Sequence, residues 1–504
     1  MPASPRSSTS SDSFTSGRNS PFDAYDSTAA LILVPDVEET TPTGAAFDFS
    51  SDDDEPEDSD LQLERLRNSP IPPLSSISVF LYLFAPFLKL GALIIPSLDI
   101  PLRIAAPALL LFAVLSAFTR HLWYMLARYV RRADLEEIVL ETFARGRGKE
   151  GRRTALRQVV RLSTQLSRIS LAALYLRLSV DMLLTYFPDV LTVPSRLITT
   201  IVLVAFIAPL YSARSLGSKG IIYASWVSIT AYAAWFACTI YMHTKHIVEP
   251  IAYSSSLGKL WDGIPTFAFA FATSSTVPLY ASLKGTVEPV TPKPRRSQSF
   301  KLLSILSLTL ALAFTLPLVF FEASAHVPRQ ELPSAELKAT VAVFGAIALL
   351  FSIPSVLITT PALPIPYPIR RATSLPISKV LIYILTPALA LLPAHVTRVG
   401  SDLVLLLAFL STYVVPALLH ITIHYFRRPL AIVVPPATPS PARVPSAESG
   451  SDSRHDELLQ RKERTLQRRR LGRRLVWDFG VWVLLVPVGG GGFVWAIGRM
   501  LDKW

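Results

Sequence analysis

The sequence predicts an all-α polytopic membrane protein, and three observations predict it. Half of the 504 residues are apolar, with a mean hydropathy of +0.40. Apolar runs of about 20 residues recur along the chain, the length that a helix needs to cross a bilayer. The stretches between them alternate between rich and poor in Lys and Arg, the asymmetry that separates the two sides of a membrane.

Eleven spans are expected from residue 75 onward. They fall at roughly 77–98, 101–127, 162–187, 196–213, 220–242, 260–283, 302–322, 338–360, 379–394, 402–426 and 475–498. The connections 128–161, 214–219, 284–301, 361–379 and 427–474 are basic and follow every second span, whereas 188–194 and 323–337 are poor in basic residues. One orientation satisfies this pattern: N-terminus in the cytosol, C-terminus on the far side.

Residues 1–74 form an acidic segment around Ser51-Asp-Asp-Asp-Glu-Pro-Glu-Asp-Ser-Asp60, rich in Ser, Pro and Thr. Such a composition cannot bury enough surface to fold alone, so a disordered cytosolic tail is expected, with no signal peptide. Its patch Leu31–Val34 reads either as a docking peptide or as an incidental apolar run. The transporter core is expected over 75–428. A basic, Pro/Ser-rich cytosolic loop follows over 429–474, in which Arg454–Arg470 suits either a helix on anionic lipid or a solvated run. The last span and a short far-side C-terminus complete 475–504.

The net charge of +12 resides in the membrane-flanking loops, so the lipid bilayer is the implied partner, and nucleic acid is not. The single cysteine, Cys238, excludes a disulfide framework. His420 and His424 stand one helical turn apart without a third ligand, so no metal site is expected. No phosphate-binding loop, nucleophile elbow or metalloprotease helix occurs, which leaves ATP-driven pumping and common hydrolase chemistry without support; neither an enzyme nor a cofactor is expected.

The sixth span holds the informative feature. In Gly263-Ile-Pro-Thr-Phe-Ala-Phe-Ala-Phe-Ala-Thr-Ser-Ser-Thr-Val-Pro-Leu-Tyr280, four hydroxyl residues occupy the middle and a proline follows. Hydroxyls compete for backbone hydrogen bonds and Pro278 donates none, so the helix is expected to break over Ala272–Thr276. The first span, Pro86-Phe-Leu-Lys-Leu-Gly-Ala-Leu-Ile-Ile-Pro96, has an irregular middle at Lys89–Ala92 and a proline near its end. Irregular backbone at membrane depth is tolerated only inside protein or along a cavity, and paired breaks at matching positions of two halves mark transporter binding sites. Two prolines that merely kink packed helices are the alternative.

Four motifs carry a resemblance. Pro265–Phe271 followed by Val277-Pro-Leu-Tyr280 and Leu283-Lys284 resembles span six of the amino acid/auxin permease family. Gly91-Ala-Leu-Ile-Ile-Pro96 is similar to the second half of its first-span signature. Tyr175-Leu-Arg-Leu-Ser-Val-Asp181 resembles its third-span pattern, and Pro209–Leu216 the end of its fourth span. The resemblance covers about residues 75–428 and looks closest to the fungal vacuolar branch. It implies two inverted five-helix repeats plus one extra helix, with spans one and six broken. It implies a secondary active transporter of amino acids, coupled to protons, in a vacuolar membrane or else the plasma membrane. The substrate would sit among Lys89, Leu90, Gly91, Ala92, Phe269, Phe271, Thr273, Ser274 and Ser275, with Tyr175, Arg177 and Asp181 as the coupling or organising group. Lys89 stands where the family has a glycine, Val180 where it has another, and Ser274 near a family histidine. A mid-membrane lysine is expected to point into the cavity toward an acid, and Arg177 or Lys89 is expected to pair with Asp181. The lysine also sustains a rival from another class, a non-transporting membrane sensor or scaffold derived from the same family.

Overall fold

The computed structural model describes residues 72–98, 100–130, 132, 134–144, 150–184, 194–213, 215–245, 257–273, 276–284, 300–323, 335–364, 376–426 and 477–501. The acidic segment up to residue 71, the patch Leu31–Val34, Ser274, Ser275 and the 429–474 loop with Arg454–Arg470 lie outside the described residues.

The described chain is helical, with no strand. Seven helices are long and apolar enough to cross a membrane. They are α1 (Ser76–Ser97), α2 (Leu102–Val130, apolar to Ala127), α6 (Lys219–Thr244), α9 (Phe300–Ala323, apolar to Phe321), α10 (Ala335–Ile358), α12 (Ala394–Tyr425) and α13 (Trp477–Met500). The other predicted spans fall on elements that are charged, short or broken. Helix α4 (Glu150–Leu184) carries Arg168, Arg177 and Asp181 in its apolar half. Helices α5 (Ser195–Tyr211) and α11 (Ile377–Ala390) are shorter than the rest. The sixth predicted span is divided into α7 (Ile264–Ala270) and α8 (Thr276–Lys284).

The outward faces are apolar. Phe206 on α5, Ile305 on α9, Ile384 on α11 and Phe479 on α13 are each more than half exposed. A water-soluble protein rarely leaves such continuous apolar surface open, whereas lipid covers it without penalty. The fold is therefore consistent with a multi-pass membrane protein.

One expected loop is largely helix. Residues 128–161 contain the short helix α3 (Leu135–Phe143) and the first turns of α4. Asp134 caps α3 by accepting from the Glu136 amide, and Glu136 in turn pairs with Arg157 at 2.8 Å and Arg161 at 3.5 Å on α4. The arginines that mark this segment as topogenic thus also dock α3, which buries Ile138, Val139 and Leu140.

The core is arranged around two breaks. Helix α1 runs to Phe84, tightens into a 3₁₀ turn over Ala85–Leu88, breaks at Lys89 and resumes as helix over Leu90–Ile94. Its unwinding is narrower than the expected Lys89–Ala92: only Lys89, with φ −117° and ψ −144°, leaves helical geometry, and Leu90, Gly91 and Ala92 belong to the second half-helix. Helix α7 ends at Ala270, and Ala272 and Thr273 are non-helical before α8 begins at Thr276.

Gly91 explains how the broken elements meet. A Cβ built there would lie 2.5 Å from Ala270 Cα and 2.8 Å from Ala270 N. The glycine is thus a contact point rather than a breaker, because its missing side chain lets the two backbones touch. Around the crossing, Phe87 and Phe271 pack at 5.6 Å between ring centroids. Gly91→Ala is expected to destabilise the fold by about 1–3 kcal/mol through overpacking. Thermal melting of the purified protein in detergent should show a clear drop for Gly91→Ala and none for Gly400→Ala, where a Cβ meets nothing within 4 Å. Equal melting temperatures would refute the contact.

Candidate functional site

A break inside a bilayer leaves backbone groups that protein must satisfy. At the α1 break the partner is Arg120 of α2. Its guanidinium donates to Leu83 O at 2.7 Å, to Ser307 Oγ at 2.8 Å and to Ser304 O at 3.5 Å. It also stacks 4.3 Å over the Phe87 ring. Leu83 O is a carbonyl at the point where the α-helical ladder gives way to the 3₁₀ turn. The fork of donors suits this task, since one planar group reaches α1 and α9 together. Sequence reasoning passed over Arg120. The signal was present, a lone arginine in the apolar run Leu109–Leu122, where ionisable residues are costly and serve a purpose.

At the α7–α8 break the partner is α12. Thr273 N donates to Thr412 Oγ1 at 3.2 Å, and Tyr413 Oη donates to Ala268 O at 2.9 Å. Thr412 and Tyr413 lie in a π-helical stretch, Leu410–Val414, a widening of the helix that turns these two side chains toward the break. The hydroxyls of Thr273 and Thr276 are themselves buried and have no hydrogen-bond partner among the described residues. Buried polar atoms seldom stay unsatisfied, so water or a ligand is expected there.

Between the breaks lies a cavity of about 110 Å³. Lys89, Phe269, Ala272 and Thr273 line it from the broken elements, Arg168 and Tyr175 from α4, and Ser411 and Thr412 from α12. Its other walls include Tyr82, Ser355 and Thr359. Of the expected substrate residues, three therefore face the cavity: Lys89, Phe269 and Thr273. Leu90, Gly91, Ala92 and Phe271 are buried in the helix crossing instead. Tyr175 lies at the cavity; Arg177 and Asp181 are absent from its lining.

One expected pairing is corrected, and of the two partners expected for Asp181 the structure brings Arg177 and not Lys89. Lys89 does not meet an acid; its ammonium lies 5.9 Å from the centroid of the Tyr175 ring, and no ion pair to it occurs among the described residues. Asp181 does not meet Lys89 either. It hydrogen-bonds Arg196 of α5 and stands 3.9 Å from Arg177 Nε. Arg177 is further engaged by Leu392 O at 2.5 Å, Ala390 O at 3.4 Å and Thr397 Oγ1, at the junction of α11 and α12. This cluster ties α4, α5, α11 and α12 together, a structural task away from the cavity.

His420 and His424 face each other at 4.4 Å between ring centroids, and no group of three metal-ligating side chains occurs among the described residues. In the last helix, a Cβ at Gly489 would lie 2.7 Å from Val414 Cγ2, so the glycine run seats α13 against α12.

No protein-family model matches the chain, and no curated protein matches it significantly.

Arg120→Leu should leave Leu83 O and Ser307 Oγ without their donor, at a cost on the order of 1.5–3 kcal/mol for each bond lost to a charged group. The expected outcome is a low folded yield, partly restored in Arg120→Lys, as read by size-exclusion chromatography and melting. An undiminished yield of Arg120→Leu would show that the guanidinium does not hold the break.

Proposed function

We propose that this chain is a secondary active transporter of amino acids, working by alternating access around the cavity between broken α1 and the α7–α8 pair. The observation that carries the reading is the pairing of two breaks that touch at Gly91 and Ala270 and face one cavity. Breaks at membrane depth cost backbone hydrogen bonds, and here three side chains from other helices restore them. Packed helices that needed only a kink would not require a cavity at the same place. The resemblance of four motifs to the amino acid/auxin permease family supports the same function. It also motivates the finer proposals: eleven spans with α4, α5, α11 and the α7–α8 pair crossing as well, two inverted repeats of five, coupling to protons, and a vacuolar membrane with the N-terminus cytosolic.

Within this reading Asp181 organises the ends of α4 and α5 and does not carry the coupling proton, because two arginines hold it. The rival, a non-transporting sensor or scaffold, is favoured by one observation: Lys89 projects into a small cavity.

Proteoliposomes bearing the full chain and exposed to a panel of radiolabelled amino acids test the reading. Uptake of some members, at least several-fold greater with an imposed proton gradient than without, is the expected result. Absence of uptake across the panel by well-folded protein would favour the sensor. Asp181→Asn should lower folded yield, with proton-driven uptake per folded molecule within about twofold of wild type, since each tenfold loss requires about 1.4 kcal/mol. Abolition of gradient-driven uptake in well-folded Asp181→Asn would assign the proton to that carboxylate after all.

A further inference from the structure

The charged side chains that line the central cavity are both cations. Lys89 enters from the α1 break and Arg168 from α4, and no Asp or Glu is among the described lining residues. Lys89 is 6% exposed. A buried ammonium normally pairs with an acid, and an unpaired one is costly. Its described neighbour is the Tyr175 ring, whose π face offsets a fraction of that cost. Asp134, at the start of α3, is near enough to offset part of the Arg168 charge. Asp134 does not line the cavity.

The remaining lining is rich in donors without negative charge. Tyr175, Thr412 and Thr273 supply hydroxyls, and Thr273 Oγ1 is buried without a partner among the described residues, whereas Tyr82 and Ser411 donate theirs to Leu216 O and Ala408 O. A neutral zwitterion brings no net charge to offset Lys89 and Arg168, and a basic amino acid adds a further cation to them, where like charges at short range in a low-dielectric site repel strongly. A solute with net negative charge meets the opposite situation. One carboxylate can neutralise Lys89 and take the orphaned hydroxyl, and a second can reach Arg168, whose fork accommodates a carboxylate in two-point fashion.

We infer that the cavity binds a small organic carboxylate of net negative charge, with Lys89 and Arg168 as its charge partners. The inference rests on the proposed transport site but adds its substrate class: dicarboxylic rather than neutral or basic amino acids, and related small dicarboxylates.

Equilibrium binding to the purified full chain in lipid nanodiscs tests this independently of transport. The probes are radiolabelled L-glutamate and succinate, with L-leucine, L-lysine and inorganic phosphate as comparisons. The expected result is at least tenfold tighter binding of glutamate and succinate than of leucine and lysine. Lys89→Gln and Arg168→Gln should each weaken glutamate at least tenfold while leaving leucine unchanged or improved; Lys89→Arg should retain the preference for anions. If Lys89→Gln does not fold, Arg168→Gln and Lys89→Arg carry the comparison. Leucine binding as tightly as glutamate, binding unaffected by the charge-removing variants, or phosphate competing as well as glutamate would overturn the assignment. Anion binding without uptake into proteoliposomes would uphold the site while refuting transport, and uptake confined to neutral amino acids would do the reverse.

Discussion

A backbone group released at a helix break must find a new partner, and this constraint governs the centre of the molecule. Each such amide or carbonyl turns to a side chain within hydrogen-bond reach or to the cavity that the breaks line. Arg120 answers for α1, and Thr412 with Tyr413 answers for the α7–α8 pair. The first sits on α2, where it also binds α9, and the other two sit on α12, so these helices must close around the breaks for the breaks to exist at all. Local irregularity and global packing are thereby one requirement.

The two buried cations at the α1 break show how differently the same charge can be housed. Arg120 has three oxygen acceptors and an aromatic face. Its cost of desolvation is offset by directed bonds, and it acts as a fastener. Lys89 has one aromatic neighbour and a cavity. Behind both, α4 serves as the wall. Ser179 donates to Ala346 O on α10, Gln165 to Ala362 O beyond it, and Arg177 to the α11–α12 junction. A helix with this many polar attachments is held by geometry as much as by apolar packing.

The helical class and the helix positions were legible because hydropathy and length are local properties, and bilayer thickness constrains both. The α7–α8 break was legible for the same reason: Thr273–Thr276 and Pro278 disfavour the helix by their own chemistry. The α1 break was read too wide because Gly91 looks like a breaker in one dimension, while in space it lets Ala270 approach. Arg196 as the partner of Asp181 was not legible, since it stands on the next helix, and periodicity on α4 pointed only to Arg177. The helical extent of 128–161 was hidden by its charge, which marks topology equally well whether the backbone is coiled or helical.

The crossing at Gly91 also limits what neighbouring substitutions can repair. Most crowded contacts in a core can be relieved by trimming the opposing side chain, so a lineage can exchange a large–small pair for a small–large one. Here the nearest atoms to an added Cβ include the Cα and N of Ala270 as well as its methyl group. Trimming residue 270 to glycine would remove the methyl and leave the main chain in place. No second-site suppressor at the opposing position can therefore make room, and residue 91 has little access to compensatory drift while the two half-helices keep this separation.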